Sequence, residues 1–291
     1  MIVEFSGYWN NDLKSFSNFI EIQEKCLKTE SRKIFFSFSG CNFIAPNILV
    51  LLGGLKELIK LEGKELIFDF ESIDNVNVMT YLYKTNFVKE LNIHEYHNYN
   101  KDNYISYKRF DINDDNYEEE ITVYVQDILK LIPINMSDEL KAEITSRIYE
   151  VFINAAEHSE SKIGVHACGH YFPNKRELSI AIYDGGIGII ENVRREKGHG
   201  KDAGKILEWA FIPGNTTVKN IDYNRGLGLE LLKQLVKLND GKIFTYTNNA
   251  IGVVNSKNEC YNSQNRSLIG TSININIKKD IQSIYQFNKK R

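Results

Sequence analysis

Two short runs, KIFFSFSG from residue 33 and KELIFDF from residue 64, flank a longer one, NILVLLGGLKELIKLEG from residue 47. The outer two have the aromatic and aliphatic content of buried strands, while the apolar residues of the middle one recur at helical spacing. Strand, helix, strand in that order confines this part of the chain to a small α/β unit. A second helix is expected in NVMTYLYKTNFVKELNI, and YISYKRF adds a strand. Polar, acidic stretches with interleaved tyrosines, EYHNYNKDN and DINDDNYEEE, read as a connection. The first unit therefore spans about residues 1–115, on the order of a hundred residues.

The remainder has a different rhythm. Leu140, Ile144, Ile148, Val151, Phe152 and Ala155 share one helical face between Ser137 and Ser159. Strands are expected at KIGVHACGHYF and ELSIAIYD, then a Gly-rich turn, a long irregular stretch, a helix at GLELLKQLVKLN, and strands at GKIFTYT and GTSININI. Helices on a mostly antiparallel sheet make this second unit, residues 116–280, α+β. Residues 281–291 read as a basic tail.

With 291 residues, 42% hydrophobic and 25% charged, the chain suits two soluble globular units. A net charge of -2 gives no global signal for nucleic acid or an anionic membrane. The start, MIVEFSGYWNND, lacks a signal-peptide pattern, and the longest apolar run is too short for a bilayer, so a cytoplasmic protein is expected. Cys26, Cys41, Cys168 and Cys260 are scattered, which suits reduced thiols.

Three clusters carry chemistry. Glu150, Asn154 and His158 are four apart, so they form one slanting stripe on the second unit's first helix, where apolar and polar faces meet. Asp184 ends an apolar strand and is followed by Gly185, Gly186 and Gly188, a turn where a flat ligand can approach backbone while a carboxylate accepts its hydrogen bonds. Arg225, Gly226, Leu227 and Gly228 open an amphipathic helix, whose free N–H groups favour a phosphate. Gly270 and Thr271 lead into a late strand.

In that order, these motifs resemble the GHKL, or Bergerat-fold, ATP-binding family across about residues 137–278. The resemblance implies Glu150 as general base, Asn154 as magnesium ligand, His158 beside them, and Asp184 as the carboxylate that reads adenine. It gives Gly186 and Gly188 to the adenine pocket, Arg225, Gly226, Leu227 and Gly228 to the phosphate side, and Thr271 to the support of Asp184. Residues 189–225 become a lid, with a short helix near GKILEWAF. ATP and magnesium are the implied cofactors. His158, four after Asn154, fits the anti-sigma-factor kinase version; Glu157, three after it, fits the gyrase-like version, and the subfamily stays open. The implied activity is a nucleotide-driven switch with slow hydrolysis, the alternatives being a serine/threonine kinase acting on a separate partner or a non-catalytic ATP-binding module. Nucleotide-dependent homodimerisation is a further implication.

The stretch from Cys41 to Phe70 looks like the STAS fold of anti-sigma-factor antagonists, a resemblance spanning about residues 30–95. It implies a protein partner for the first unit. Where that family has a phosphorylatable Ser or Thr, this chain has Ala45-Pro46-Asn47. GHGKDAGK is not a phosphate loop, because its glycine spacing is wrong and Ile206 replaces the Ser or Thr. The basic run from Arg194 to Lys205 reads as a solvated face. His166, Cys168 and His170 share a strand face, which is read as partly buried rather than as a zinc site.

Overall fold

A computed structural model describes residues 1–91, 102–132, 134–198, 200, 202–212, 214–215, 228–278 and 280–285. It is a mixed α/β structure with both parallel and antiparallel sheets. In the first part lie β1 (Ile2–Glu4), β2 (Gly7–Trp9), α1 (Leu13–Lys28), β3 (Lys33–Ser37), β4 (Cys41–Ile44), α2 (Pro46–Leu61) and β5 (Glu65–Asp69), followed by α3 (Val76–Lys84) and α4 (Phe87–Glu90). Strands β1, β3 and β5 pair in parallel, with Ile2 opposite Phe35 and Phe35 opposite Ile67. The expected second helix is broken between α3 and α4, where Asn86 adopts a left-handed conformation (φ 60°) that ends helical hydrogen bonding.

The expected strand–helix–strand unit is thus present, and its helix is the hub of the molecule. From Pro46 to Leu55 every residue of α2 is buried, as befits a helix that is apolar all round. One side meets the parallel sheet; the other meets a second, five-stranded sheet.

That second sheet is built from β6 (Tyr104–Phe110), β8 (Val165–Phe172), β9 (Glu177–Asp184), β10 (Lys242–Asn255) and β11 (Glu259–Lys278), in the order β10-β11-β9-β8-β6, all antiparallel. Strand β6, expected in the first unit, pairs instead with β8, Phe110 lying opposite Val165. Period-two alternation then gives each face its own core. Cys168, Ala181, Tyr183, Phe244 and Tyr246 pack with α1 and α2. Val165, Ala167, Ile180, Ile182 and Ile275 pack with helices on the opposite face.

Those helices are α5 (Tyr117–Leu131), α6 (Asp138–Glu157), α7 (Gly188–Lys197), α8 (Ala203–Ala210) and α9 (Gly228–Leu238). Of the expected polar connection, EYHNYNKDN lies almost wholly outside the described residues and α5 takes in the last four residues of DINDDNYEEE: Glu118, Glu119 and Glu120 fill its first turn, where they favour the helix dipole, and Ile121, Tyr124, Val125 and Ile128 are its buried face. Helix α6 begins as expected, with the Ser137 hydroxyl accepting the Leu140 amide. Its buried residues are Ile144, Ile148, Val151, Phe152 and Ala156, with Leu140 and Ala155 partly buried against the same core. A short parallel pair, β7 (Ile134–Met136) with β12 (Asp280–Tyr285), takes up the first part of what was read as a tail. Among the described residues no helix is long and apolar enough to cross a membrane.

Candidate functional site

Asp184 is the last residue of β9, a strand anchored on both sides by antiparallel partners: Val165 of β8 and Thr271 of β11 lie opposite it. The side chain is 4% exposed. Burial pushes its carboxyl up to about 7, although it accepts from the backbone N–H groups of Gly186 and Thr271. Among the described residues no cation acts on it.

The three glycines after it have specific occupants. A Cβ on Gly186 would stand 1.9 Å from the carbonyl oxygen of Ser159, and one on Gly188 2.2 Å from Oδ1 of Asn248. Gly188 also has φ +78°, a conformation side chains resist. The turn is therefore pressed against the end of α6, and Ser159 accepts the Ile187 amide at 2.7 Å. Behind Asp184, Gly270 (φ +83°) lets β11 approach so closely that a Cβ would stand 1.9 Å from the Asp184 carbonyl oxygen.

Thr271 supports Asp184 through its backbone N–H. Its hydroxyl instead pairs with that of Thr247 at 3.0 Å. Thr247 in turn accepts the Ile189 amide at 2.9 Å, and Asn248 accepts that of Ile190 at 3.1 Å while donating to the carbonyl of Ile187 at 2.9 Å. These side chains satisfy the first amides of α7, which explains how a helix forms directly after a glycine turn. Neither residue is legible in the local sequence, because both lie about sixty positions from the turn.

On α6, His158 closes the helix. Its N–H donates to Asn154, and its carbonyl accepts from Asn192 of α7 at 3.3 Å, which ties the stripe's end to the turn. Asn154 is exposed. Glu150 lies one further turn back and is 19% exposed, with Oε2 accepting from Nη1 of Arg147 at 2.9 Å. Arg147 also holds Glu143 through Nε at 2.8 Å. Both pairs follow from i, i+3 and i, i+4 spacing on one helix.

Arg225, Gly226 and Leu227 lie outside the described residues; Gly228 is the first residue of α9. Within the stretch expected to be irregular, α8 is the short helix expected near GKILEWAF, and α7 is a second helix that was not expected. Ile206 and Leu207 of α8 are buried, and the Gly204 amide donates to Ser263 at 3.0 Å. In the basic run, Arg194 pairs with Glu191 and Arg195 with Glu160.

His166 and Cys168 are fully buried, and His170 is stacked on Tyr104 at 4.3 Å. Asn47, at the turn compared with the STAS phosphoacceptor, is also fully buried. Among the described residues no three His, Cys, Asp or Glu side chains gather as a metal site. A magnesium ion sharing a nucleotide's phosphates needs only one or two protein oxygens, and the exposed amide of Asn154 can supply one. The buried, cation-free carboxyl of Asp184 likewise fits an amino donor from a base.

No protein-family model matches the chain, and no curated protein matches it.

Proposed function

We propose that the protein is an ATP- and magnesium-binding regulatory switch of the GHKL type that hydrolyses ATP slowly. The observation that carries this is Asp184: a buried carboxyl that, among the described residues, has only backbone donors, at the end of a core strand and beside a glycine turn. Such a group costs stability unless a partner from outside completes it.

In this reading residues 116–280 form a Bergerat-fold unit and residues 1–115 a STAS-like unit, in a cytoplasmic protein. Asp184 accepts from the amino group of adenine, with Gly186 and Gly188 shaping the turn beside it. Asn154 holds magnesium, which supplies neutralisation of phosphate charge, and His158 lies next to it. Glu150 orients a water molecule toward the terminal phosphate. Arg225, Gly226, Leu227 and Gly228 bound the phosphate side, and residues within 189–225 gate entry. A protein partner engages the first unit, whose parallel sheet turns Ile2 (70% exposed), Phe35 (41%) and Ile67 outward in one row. Glu4 and Asp69 flank that row on one side and an ion-paired Lys33 and Glu65 on the other, so the partner presents mainly apolar residues. Nucleotide-dependent pairing of two copies belongs to the same reading.

A second reading, ATP as a purely structural ligand, is favoured by one observation. Glu150 is turned along its own helix to Arg147, an arrangement that catalysis has to undo. The two part on one experiment, incubation with magnesium and ATP labelled on its terminal phosphate, beside Glu150→Ala. Label released as free phosphate, and slowed by about 10²-fold or more in the variant, supports the switch. Label on protein points to a kinase, bound ATP with no label movement to the structural ligand, and no binding at all ends the proposal.

A further inference from the structure

Helix α2 is keyed to β9 on both sides of Asp184. On the strand side, a Cβ on Gly54 would stand 2.2 Å from Cε1 of Tyr183, the residue before Asp184. Its neighbour Gly53 lies equally close to Tyr107 of β6, where a Cβ would stand 1.9 Å from the hydroxyl. Two glycines in mid-helix cost about 1 kcal/mol each relative to alanine. Here they let α2 sit directly on two tyrosine rings.

One turn further along α2, Leu58 reaches the residue after Asp184. A Cβ on Gly185 would lie 3.5 Å from Leu58 Cδ2 and 2.5 Å from Ile163 Cδ1. The segment carrying Ile163 is tied to both partners. Ser161 accepts the Gly185 amide at 3.3 Å, while Arg109 donates from Nε to the Ile163 carbonyl at 2.8 Å and meets Glu57 of α2 at 3.8 Å. On this side, then, Leu58 of α2 touches the turn directly, and Ile163, which packs on Gly185, is held by Arg109, itself paired with Glu57 of α2.

We propose that α2 positions the Asp184 turn, so that a shift of α2 within the first half of the chain changes ligand affinity at the turn, and occupancy of the turn shifts α2 in return. Linkage makes the two effects equal in size. The affinity half of this inference rests on the ATP reading given above; the positioning half does not.

The test uses the full chain with Leu58→Ala, against Leu82→Ala as a control of the same chemistry. Leu82 is fully buried in the same core but lies on α3. Amide hydrogen exchange at Gly185, Gly186 and Ile187 and the affinity for magnesium-ATP are measured in each. Exchange at these amides is expected to rise about tenfold more in Leu58→Ala than in the control, with affinity falling about fivefold, the result of losing roughly 1 kcal/mol of support. Equal exchange in the two variants overturns the proposal. A specific rise in exchange in a protein that binds no ATP leaves the positioning intact and removes the nucleotide reading. If Leu58→Ala does not fold, Glu57→Gln, which cuts the link to Arg109 near the surface, is put through the same exchange measurement with the same outcomes.

Discussion

His166 and Asp184 are buried titratable groups of one sheet, on neighbouring strands, and the protein treats them in opposite ways. His166 is the second residue of β8, opposite Tyr183 and one ladder position from Asp184, and its Nδ1 is 2.8 Å from the Tyr107 hydroxyl. Burial, with Arg109 nearby, lowers its pKa to about 3, so it is neutral. Among the described residues its Nε2 makes no hydrogen bond, and the ring centroids of Tyr107 and Tyr183 lie 6.0 and 6.2 Å from its own. Asp184 sits at a strand end beside a glycine turn, and burial raises its pKa to about 7. A side-chain partner and a closed aromatic shell are what a core residue has. Backbone donors alone, at an element's end, leave capacity for something that comes and goes.

Asp184→Asn tests this contrast most strongly. An amide presents a donor where the ligand's amino group also donates, so magnesium-ATP affinity is expected to fall about 100-fold or more by calorimetry, roughly 3 kcal/mol for a buried charge-assisted hydrogen bond. In the wild type, affinity should rise from pH 6 to pH 8, because an amino donor needs the ionised carboxylate and the free protein carries it only above about 7. Stability should move the other way. The folded carboxyl titrates above its unfolded value, so its contribution is fully present below about pH 4 and is lost as pH rises through 7. Asp184→Asn should match the wild type near pH 4 and exceed it at pH 8 by on the order of 2–4 kcal/mol in urea unfolding. A variant that binds ATP normally would place Asp184 with His166, among core residues.

The sequence reading reached Asp184 and its glycines because the relevant pattern is local: an apolar strand, a carboxylate, then residues without side chains. It found the α6 stripe for the same reason. It took β6 for part of the first unit because a strand's sequence states its faces but not its partner, and pairing with β8 depends on residues some sixty positions away. Helix α5 was hidden by acidic residues that read as a solvated connection, although they suit a helix start. The glycine pair of α2 was visible as composition only. Its meaning lies in Tyr107 and Tyr183, which a one-dimensional pattern does not bring together.

The opposite side of the contrast is tested by His166→Phe. Magnesium-ATP affinity should fall far less than in Asp184→Asn, by at most about fivefold, since this ring meets Tyr107, Tyr183 and the Ile163 backbone rather than the Asp184 carboxyl, while stability at pH 7 should drop by about 1–2 kcal/mol as the Tyr107 hydroxyl loses its partner. The pH dependence has a definite sign. His166 titrates below its unfolded value when folded, so its contribution is present above about 6.5 and is lost as pH falls toward about 3. The deficit of the variant should therefore shrink on acidification, as read from urea midpoints between pH 7 and pH 4. A deficit that grows in acid would mean that the folded protein holds this histidine charged, and the contrast with Asp184 would collapse.

Thr271→Val gives the smallest effect and the finest division between the two kinds of residue. Thr271 lies opposite Asp184 in the ladder, and two of its groups have separate duties: the backbone N–H reaches the carboxyl, and the hydroxyl pairs with Thr247. Valine keeps the first and removes the second. Thr247 also accepts the Ile189 amide and lies 3.3 Å from the Gly270 carbonyl, so it retains partners when the Thr271 hydroxyl is gone. The cost is then that of one buried, partly compensated hydrogen bond, about 1 kcal/mol of stability, and at most about threefold in magnesium-ATP affinity. A loss of thirtyfold with unchanged stability would show the hydroxyl reaching the ligand itself. In that case the polar floor beneath Asp184 belongs to the site rather than to the core that holds it in place.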